Sequence, residues 1–376
     1  MRIGIDARFY GPRVGGGGIG RYVAELVTNL QKLDQENEYV IFLKKENFHE
    51  CVITNHRFEK RLVDVHWYTV AEQTTMPGEI KRARVDFMHY PHWNIPIFSK
   101  VPFLVTIHDL ILLDDPKSAR STTRGVLVHG FKYAGFRTVL ESAIHRSRHI
   151  VTVSEYTKES ILHHFGIKYE KITVVPNGVN SPIDARDVSL TELGVYEPYF
   201  LYVGNAYPHK NLEMMLHTFS RYLETHPYTQ LVIAGRRDVF SHRLEREANE
   251  IGLPIGSIRF IDLPTDHELS ELYRHANLFI FPSRLEGFGI PPLEAMSYGT
   301  PVAAAQASSL PEILGEGANW FAPDDAEMLE AIMIQATDNP SSLKTKCEQA
   351  LKIANTYNWQ NAARKTLDLY QRFPSL

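Results

Sequence analysis

A chain of 376 residues, 44% apolar and 22% charged, exceeds one ordinary core and has the composition of a folded globular protein, not a disordered one. Its two cysteines, Cys51 and Cys347, form neither a C-x-x-C pair nor a zinc spacing, which argues against a disulfide framework or a structural metal. The net charge of −4 divides unevenly: residues 1–180 carry 24 Lys/Arg against 19 Asp/Glu, and residues 181–376 carry 16 against 25, so the halves face different electrostatic tasks.

The opening "MRIGIDARFY" lacks the charged-then-apolar order of a signal peptide. The longest apolar stretch, "VPFLVTIHDLILL", is interrupted by His108 and Asp109 and is too short to span a bilayer, so a cytoplasmic location is expected. Strands are predicted at "RIGID", "YVIFL", "DFMHY", "FLVTI", "HIVTV" and "KITVV", alternating with amphipathic segments such as 19–33 and 157–165. A Gly/Asn/Ser/Pro cluster in "GVNSPIDARDVSLTELGVYEPY" breaks the series. The alternation resumes with "YFLYVG", "QLVIAG", "IRFID", "NLFIFP" and "PVAAA", and with helices near 211–223, 242–251 and 266–275. Near-continuous apolar strands alternating with helices predict parallel sheets covered on both faces, hence an α/β protein of two Rossmann-like domains. The expected boundaries are 1–180, a linker at 181–196, 197–356, and a terminal helix at 357–376 that packs back on the first domain.

Within "RVGGGGIGRY" (13–22), Gly15, Gly17 and Gly20 fall at the dinucleotide-binding spacing G-x-G-x-x-G. That fingerprint requires its first glycine directly after strand one and an acid at the end of strand two. Here eight residues, "ARFYGPRV", intervene, and strand two ends in Lys44 and Lys45, so an NAD(P) site is rejected. Apolar residues on one face after Gly20 predict a helix, leaving anion binding by the bare backbone of Gly16, Gly17 and Gly18 as the better reading. Further on, Lys117, Arg120, Arg124, Lys132, Arg137, Arg146 and Arg148 stand against one acid, Glu141, with Val126, Leu127, Phe131, Phe136 and Val139 between them. Residues 117–148 read either as a solvated helix with one core-facing stripe or as a surface for anionic lipid head groups. No nucleic-acid-binding signature accompanies them.

"PSRLEGFGIPPLEAMSYGTPV" (282–302) carries the most chemistry. A strand leads into a loop with two glycines, then a helix from about Pro291, where proline costs no hydrogen bond. The amides around Gly289–Leu293 are expected to face an anion at that helix end, and a carboxylate further in can take ribose hydroxyls. As chemistry alone, this is a hydroxyl-binding site beside an anion site.

The segment resembles the Glu-x7-Glu motif of retaining glycosyltransferase family 4, whose fold is GT-B. "RIGIDARFYGPRVGGGGIGRYVAEL", "DFMHYPHWNIP", "TIHDL", "VTVSEYTKESI", "VVPNGVN" and "YVGNAYPHKNLEMML" resemble other parts of that family, in order along the chain. The resemblance implies two Rossmann-like domains facing across a deep cleft, with a nucleotide-sugar donor held by the second. It implies that Glu294 binds ribose hydroxyls and Glu286 those of the transferred sugar near the reacting face. Lys210 would meet the donor diphosphate, with Gly287, Phe288, Gly289 and Ile290 alongside. His108 would be a catalytic cleft residue, with Asp109 and Tyr10 on the acceptor side. Many relatives carry arginine where this chain has Asn205; Arg236 or Arg237, or else the glycine-loop amides, are expected to take its place at the phosphate. The implied reaction retains anomeric configuration, and with no candidate carboxylate nucleophile, front-face attack is expected. No D-x-D metal motif and no cofactor are expected. The likeness leans toward GDP-mannose as donor and a saccharide or lipid-linked saccharide as acceptor. A UDP-glucose user, a nucleotide-sugar 2-epimerase and an inactive sugar- or lipid-binding module remain as alternatives.

Overall fold

Ile3, Ile5, Val40, Ile41, Leu104 and Val105 are entirely shielded from water, as strands covered on both faces require. The computed structural model describes residues 1–11, 14, 17–115, 126–185 and 188–375, with the side chains of 126–132 excepted. Gly16 and the basic stretch from Lys117 to Arg124 lie outside the described residues. The chain divides into two units, Met1–Gly178 with Asn358–Leu376, and Val179–Tyr357.

In the first unit, β1 (Arg2–Asp6), β2 (Glu38–Leu43), β3 (Phe58–Leu62), β4 (Phe87–Tyr90), β5 (Phe103–Ile107), β6 (His149–Thr152) and β7 (Ile172–Val174) form one sheet. Its order is β3-β2-β1-β4-β5-β6-β7, and the pairs are parallel. Helices interleave, among them α1 (Gly18–Leu33), α2 (Val70–Ala83), α3 (Val126–Arg146) and α4 (Glu155–Phe165). The second unit repeats the plan with β8 (Tyr199–Val203), β9 (Gln230–Gly235), β10 (Ile258–Asp262), β11 (Leu278–Phe281), β12 (Val302–Ala305) and β13 (Ala318–Phe321), in the order β10-β9-β8-β11-β12-β13. Its helices include α5 (Leu212–Tyr222), α6 (Val239–Ile251), α7 (Asp266–His275), α8 (Ile290–Ser297), α9 (Ala326–Asp338) and α10 (Lys344–Ala354).

The last helix, α11 (Trp359–Arg372), joins the first unit and packs on α1. The Tyr370 hydroxyl lies 2.6 Å from His89 Nδ1, and Phe373 stacks on Phe87 with centroids 3.9 Å apart. At Gly178 a β-carbon would come within 2.2 Å of the Trp359 amide nitrogen, so only glycine admits the returning chain there.

Two strands differ from the sequence expectation, which misses β3 and β13. "FEKRL" carries three consecutive charges, and "ANWF" is short and polar at its second position. Both are edge strands, where one side of the ladder is free of neighbours and apolar continuity is not demanded. The basic stretch is also more structural than its charge suggests. Arg146 donates to the carbonyls of Ile97 and Ser99, and Arg148 stacks over Phe373. No described helix is long and apolar enough to cross a membrane.

At the carboxyl end of β1, Arg8 is fully buried. It donates to both oxygens of Asp6, at 2.8 and 2.6 Å, and to Glu72 of α2 at 2.5 Å. Glu72 in turn accepts from the side-chain amide of Asn94 and from the Tyr68 backbone amide. Removing one member of such a network leaves a buried charge uncompensated. Arg8→Ala is therefore expected to destabilise the protein by about 3–5 kcal/mol, read as a lowered denaturation midpoint; an unchanged midpoint would contradict this.

Candidate functional site

In a doubly wound sheet, ligands bind beyond the carboxyl ends of the strands where the strand order reverses. In the second unit that point lies between β8 and β11. The loop after β8 closes in a 3₁₀ turn, Pro208–Lys210, and the loop after β11 carries Ser283 to Gly289. They meet in one contact: Lys210 Nζ donates to Glu286 Oε1 at 2.5 Å, with side chains only 13% and 11% exposed. The ammonium also sits 5.6 Å from the centre of the Phe281 ring. The Arg284 amide donates to the His209 carbonyl at 2.8 Å, fastening the two loops together.

Glu286 is positioned through its main chain. Its N–H donates to Ser308 Oγ at 2.9 Å, and its carbonyl accepts from Ser309 Oγ at 3.0 Å. Gly289 then takes φ 98°, a left-handed conformation suited to glycine, and caps α8. Pro291 and Pro292 follow in the first turn, so the amides at this helix start are fewer than "Gly289–Leu293" suggests, since neither proline has an N–H. Glu294, one turn into α8, accepts from the Tyr273 hydroxyl at 2.9 Å. Phe288 is 4% exposed and packs edge-on against Tyr357, so its side chain belongs to the interior. Gly287 is buried beside it.

Asn205 follows Gly204 at the end of β8, and its carbonyl accepts from the buried Tyr202 hydroxyl at 2.7 Å. Burial, then the Glu286 charge, raises the Tyr202 phenol well above its ordinary pKa, keeping it a donor. Asn205 Oδ1 is buried with no hydrogen-bond partner among the described residues. Arg237 is engaged by Glu245 at 2.6 Å and stacks over Phe260, whereas Arg236 is exposed after β9 and acts electrostatically on Tyr207. Of the two arginines, Arg236 is the one left facing solvent.

In the first unit, His108 follows β5. Its Nε2 lies 2.8 Å from the Pro91 carbonyl, an atom that can only accept, so Nε2 carries the proton. Burial lowers the His108 pKa to about 4, although the Pro91 bond opposes it, so the ring is neutral and Nδ1 holds the lone pair. Tyr22 packs edge-on against it at 4.8 Å. Asp109 accepts from the Ile111 amide at 3.2 Å, one residue ahead of Leu110, the N-cap of a short helix, Ile111–Asp114. Tyr10 departs from its expected acceptor-side place. It is 9% exposed, its phenol is hydrogen-bonded to Thr28 and Cys51, and burial raises it to about 12. Gly17 is the left-handed N-cap of α1 and Gly18 its first residue, both exposed. Gly20 serves packing: a β-carbon there would lie 2.1 Å from the Gly11 carbonyl oxygen.

The structure thus brings Lys210 and Glu286 together and places His108 and Asp109 in the other unit. Sequence reasoning missed Ser308 and Ser309, which hold Glu286, and Tyr273, which holds Glu294. A serine pair before "LPEIL" is a helix-start signal, but nothing in it points back to a glutamate more than twenty residues earlier.

Residues 16–181 match the model of Glycosyltransferase Family 4, and residues 191–354 that of Glycosyl transferases group 1. The chain is similar to the O-antigen chain mannosyltransferase B of Escherichia coli, at 25% identity over 94% of this chain and 96% of that protein. It is also similar to the O-antigen chain mannosyltransferase RfbU of Salmonella typhimurium, at 27% identity over 78% and 76% of the two chains. Among solved structures it shares its fold with the sucrose-phosphate synthase of Thermosynechococcus elongatus, with a TM-score of 0.78 and 20% identity over 100% and 99% of the chains.

Three histidines around this first-unit site, His89, His92 and His108, are buried neutral, with pKa values pushed by burial to about 3, well below the usual value, and to about 4. Unfolded histidine titrates near 6.5, so between about pH 4 and 6.5 the unfolded chain binds more protons. Their contribution is fully present above that window and is lost as pH falls through it. The urea midpoint is expected to be lower at about pH 5 than at about pH 7.5; an equal or higher midpoint at the acid value would contradict this.

Proposed function

The chain is a glycosyltransferase of family 4 on the GT-B fold, and on that premise we propose that it moves a mannosyl group from GDP-mannose to a saccharide or lipid-linked saccharide. The buried contact between Lys210 and Glu286 at the strand-order reversal of the second unit carries this reading. Glycosyl transfer breaks the bond from C1 to a diphosphate oxygen, and charge develops on that diphosphate. A fixed ammonium beside it, with main-chain N–H groups of residues 288–290, lowers the barrier without reorganisation. Glu286 accepts hydrogen bonds from hydroxyls of the transferred sugar, and Glu294 those of the ribose. Arg236, exposed after β9, supplies the phosphate charge that Asn205 cannot.

His108, neutral with its proton committed to Pro91, offers Nδ1 as an acceptor for a sugar hydroxyl. With Glu286 occupied by sugar hydroxyls, the reaction proceeds on the front face with retention, the departing phosphate oxygen taking the acceptor proton. The two similar O-antigen mannosyltransferases favour mannose as the sugar.

The test is turnover with GDP-mannose, UDP-glucose and a saccharide acceptor, with the product anomer read by NMR. An α-linked mannosylated product from GDP-mannose is expected, at a rate unchanged by EDTA. Product from UDP-glucose alone, or an inverted linkage, would contradict the proposal. Glu286→Ala is expected to lower kcat by about a hundredfold or more; wild-type turnover would remove Glu286 from the reaction.

A further inference from the structure

Beyond β3 and β4 of the first unit, one aromatic side chain stands in an unusual position. Tyr68 is a non-glycine residue with φ 62°, in the left-handed region, and is 53% exposed. A bulky residue is strained there and persists only when its surroundings over-determine it. They do so here. The Tyr68 amide donates to Glu72 at 3.0 Å, which ties the residue to the buried Arg8 network. Its hydroxyl shares a 2.7 Å hydrogen bond with His92 Nε2. Its ring stacks on Trp93, with centroids 5.2 Å apart and planes at 25°, and Phe136 braces Trp93 edge-on at 4.8 Å. One face of the phenol ring is therefore backed by the protein and a large part of the side chain is left to solvent.

We infer that Tyr68, backed by Trp93, is the stacking platform for a neutral pyranose ring of the acceptor saccharide, an inference that rests on the transferase reading above. Pyranoses present a face of polarised C–H bonds that packs on an aromatic ring, while their equatorial rim offers hydroxyls. Both requirements meet here. Asp109, half-buried after β5, acts electrostatically on the Tyr68 phenol, so a carboxylate other than the buried Glu72 neighbours the ring. His92, 8% exposed, has an Nδ1 with no hydrogen-bond partner among the described residues. The occupant is the acceptor because the groups suited to a nucleotide diphosphate and its sugar, Lys210, Glu286 and Glu294, all belong to the other unit. The Arg8–Glu72 network then acts as a positioning device, holding a strained aromatic residue at the ligand edge of the sheet.

Tyr68→Gly provides the test, because glycine favours the left-handed backbone while removing the ring, and Tyr68→Phe separates the ring from the hydroxyl bonded to His92. Binding of methyl α-mannoside and an α-linked mannotriose to the full chain is measured by saturation-transfer NMR, without donor. The wild type is expected to bind, Tyr68→Gly to bind about tenfold more weakly or less, and Tyr68→Phe to stay near wild type. In turnover with GDP-mannose, Tyr68→Gly is expected to raise the acceptor KM by a similar factor and leave the donor KM unchanged. Wild-type saccharide binding by Tyr68→Gly, or no binding by the wild type, overturns the platform. Intact binding with no transfer from any donor supports the platform and overturns only the proposed activity.

Discussion

Lys210 and Glu286 hold each other at 2.5 Å with little exposure to water, and the second unit's site is arranged around that contact. Withdrawing an ammonium and a carboxylate from water costs several kcal/mol per ion, repaid only where geometry is good and the remaining polar atoms are met. The fold fixes the geometry through the main chain. Ser308 and Ser309, from the loop after β12, grip the amide and carbonyl of Glu286, and the Arg284 amide ties its loop to the Lys210 turn. On the proposed reading each charged group has a second set of partners, diphosphate oxygens for the lysine and donating sugar hydroxyls for the carboxylate. The contact would then exchange partners without either charge being left uncompensated.

Both units place their reactive side chains by the same rule. A parallel sheet sends every crossover loop to one edge, and the strand order reverses between β1 and β4 in one unit and between β8 and β11 in the other. The first unit uses this edge differently. Its side chains there are buried neutral histidines, aromatic rings and the Asp6–Arg8–Glu72 network, whose charges face one another. Such a surface suits an uncharged polyhydroxyl ligand, whereas the ammonium of the second unit suits an anionic one. The charge division in the sequence, basic in the first half and acidic in the second, does not reveal this, because Arg146 and Arg148 serve helix and terminal packing instead.

The α/β class, the paired Rossmann-like plan and most strands were legible because apolar runs covered on both faces leave a continuous signal. Helix 266–275 could be placed to the residue, since Thr265 and Glu268 form a capping box. The edge strands β3 and β13 escaped because an edge tolerates charge. Lys210 and Glu286 stood out through their motifs, yet nothing in the sequence said that they touch, for 76 residues separate them. Tyr10 rested on the resemblance alone, and its phenol turns inward to Cys51 and Thr28. Tyr68 carried no signal at all. Its left-handed backbone is held by Glu72, four residues on, and by the distant His92, and a tyrosine at that position gives no hint of the positive φ.

If Lys210 serves the diphosphate and Glu286 the sugar, the two residues separate in a binding experiment that needs no turnover. Calorimetric titration of GDP and GDP-mannose into Lys210→Ala and Glu286→Gln makes that separation. Lys210→Ala should weaken both ligands alike. Glu286→Gln should leave GDP binding intact or tightened while removing the added affinity contributed by mannose. Parallel weakening of both ligands by Glu286→Gln, or undiminished GDP binding by Lys210→Ala, would contradict the division of labour at the centre of this site.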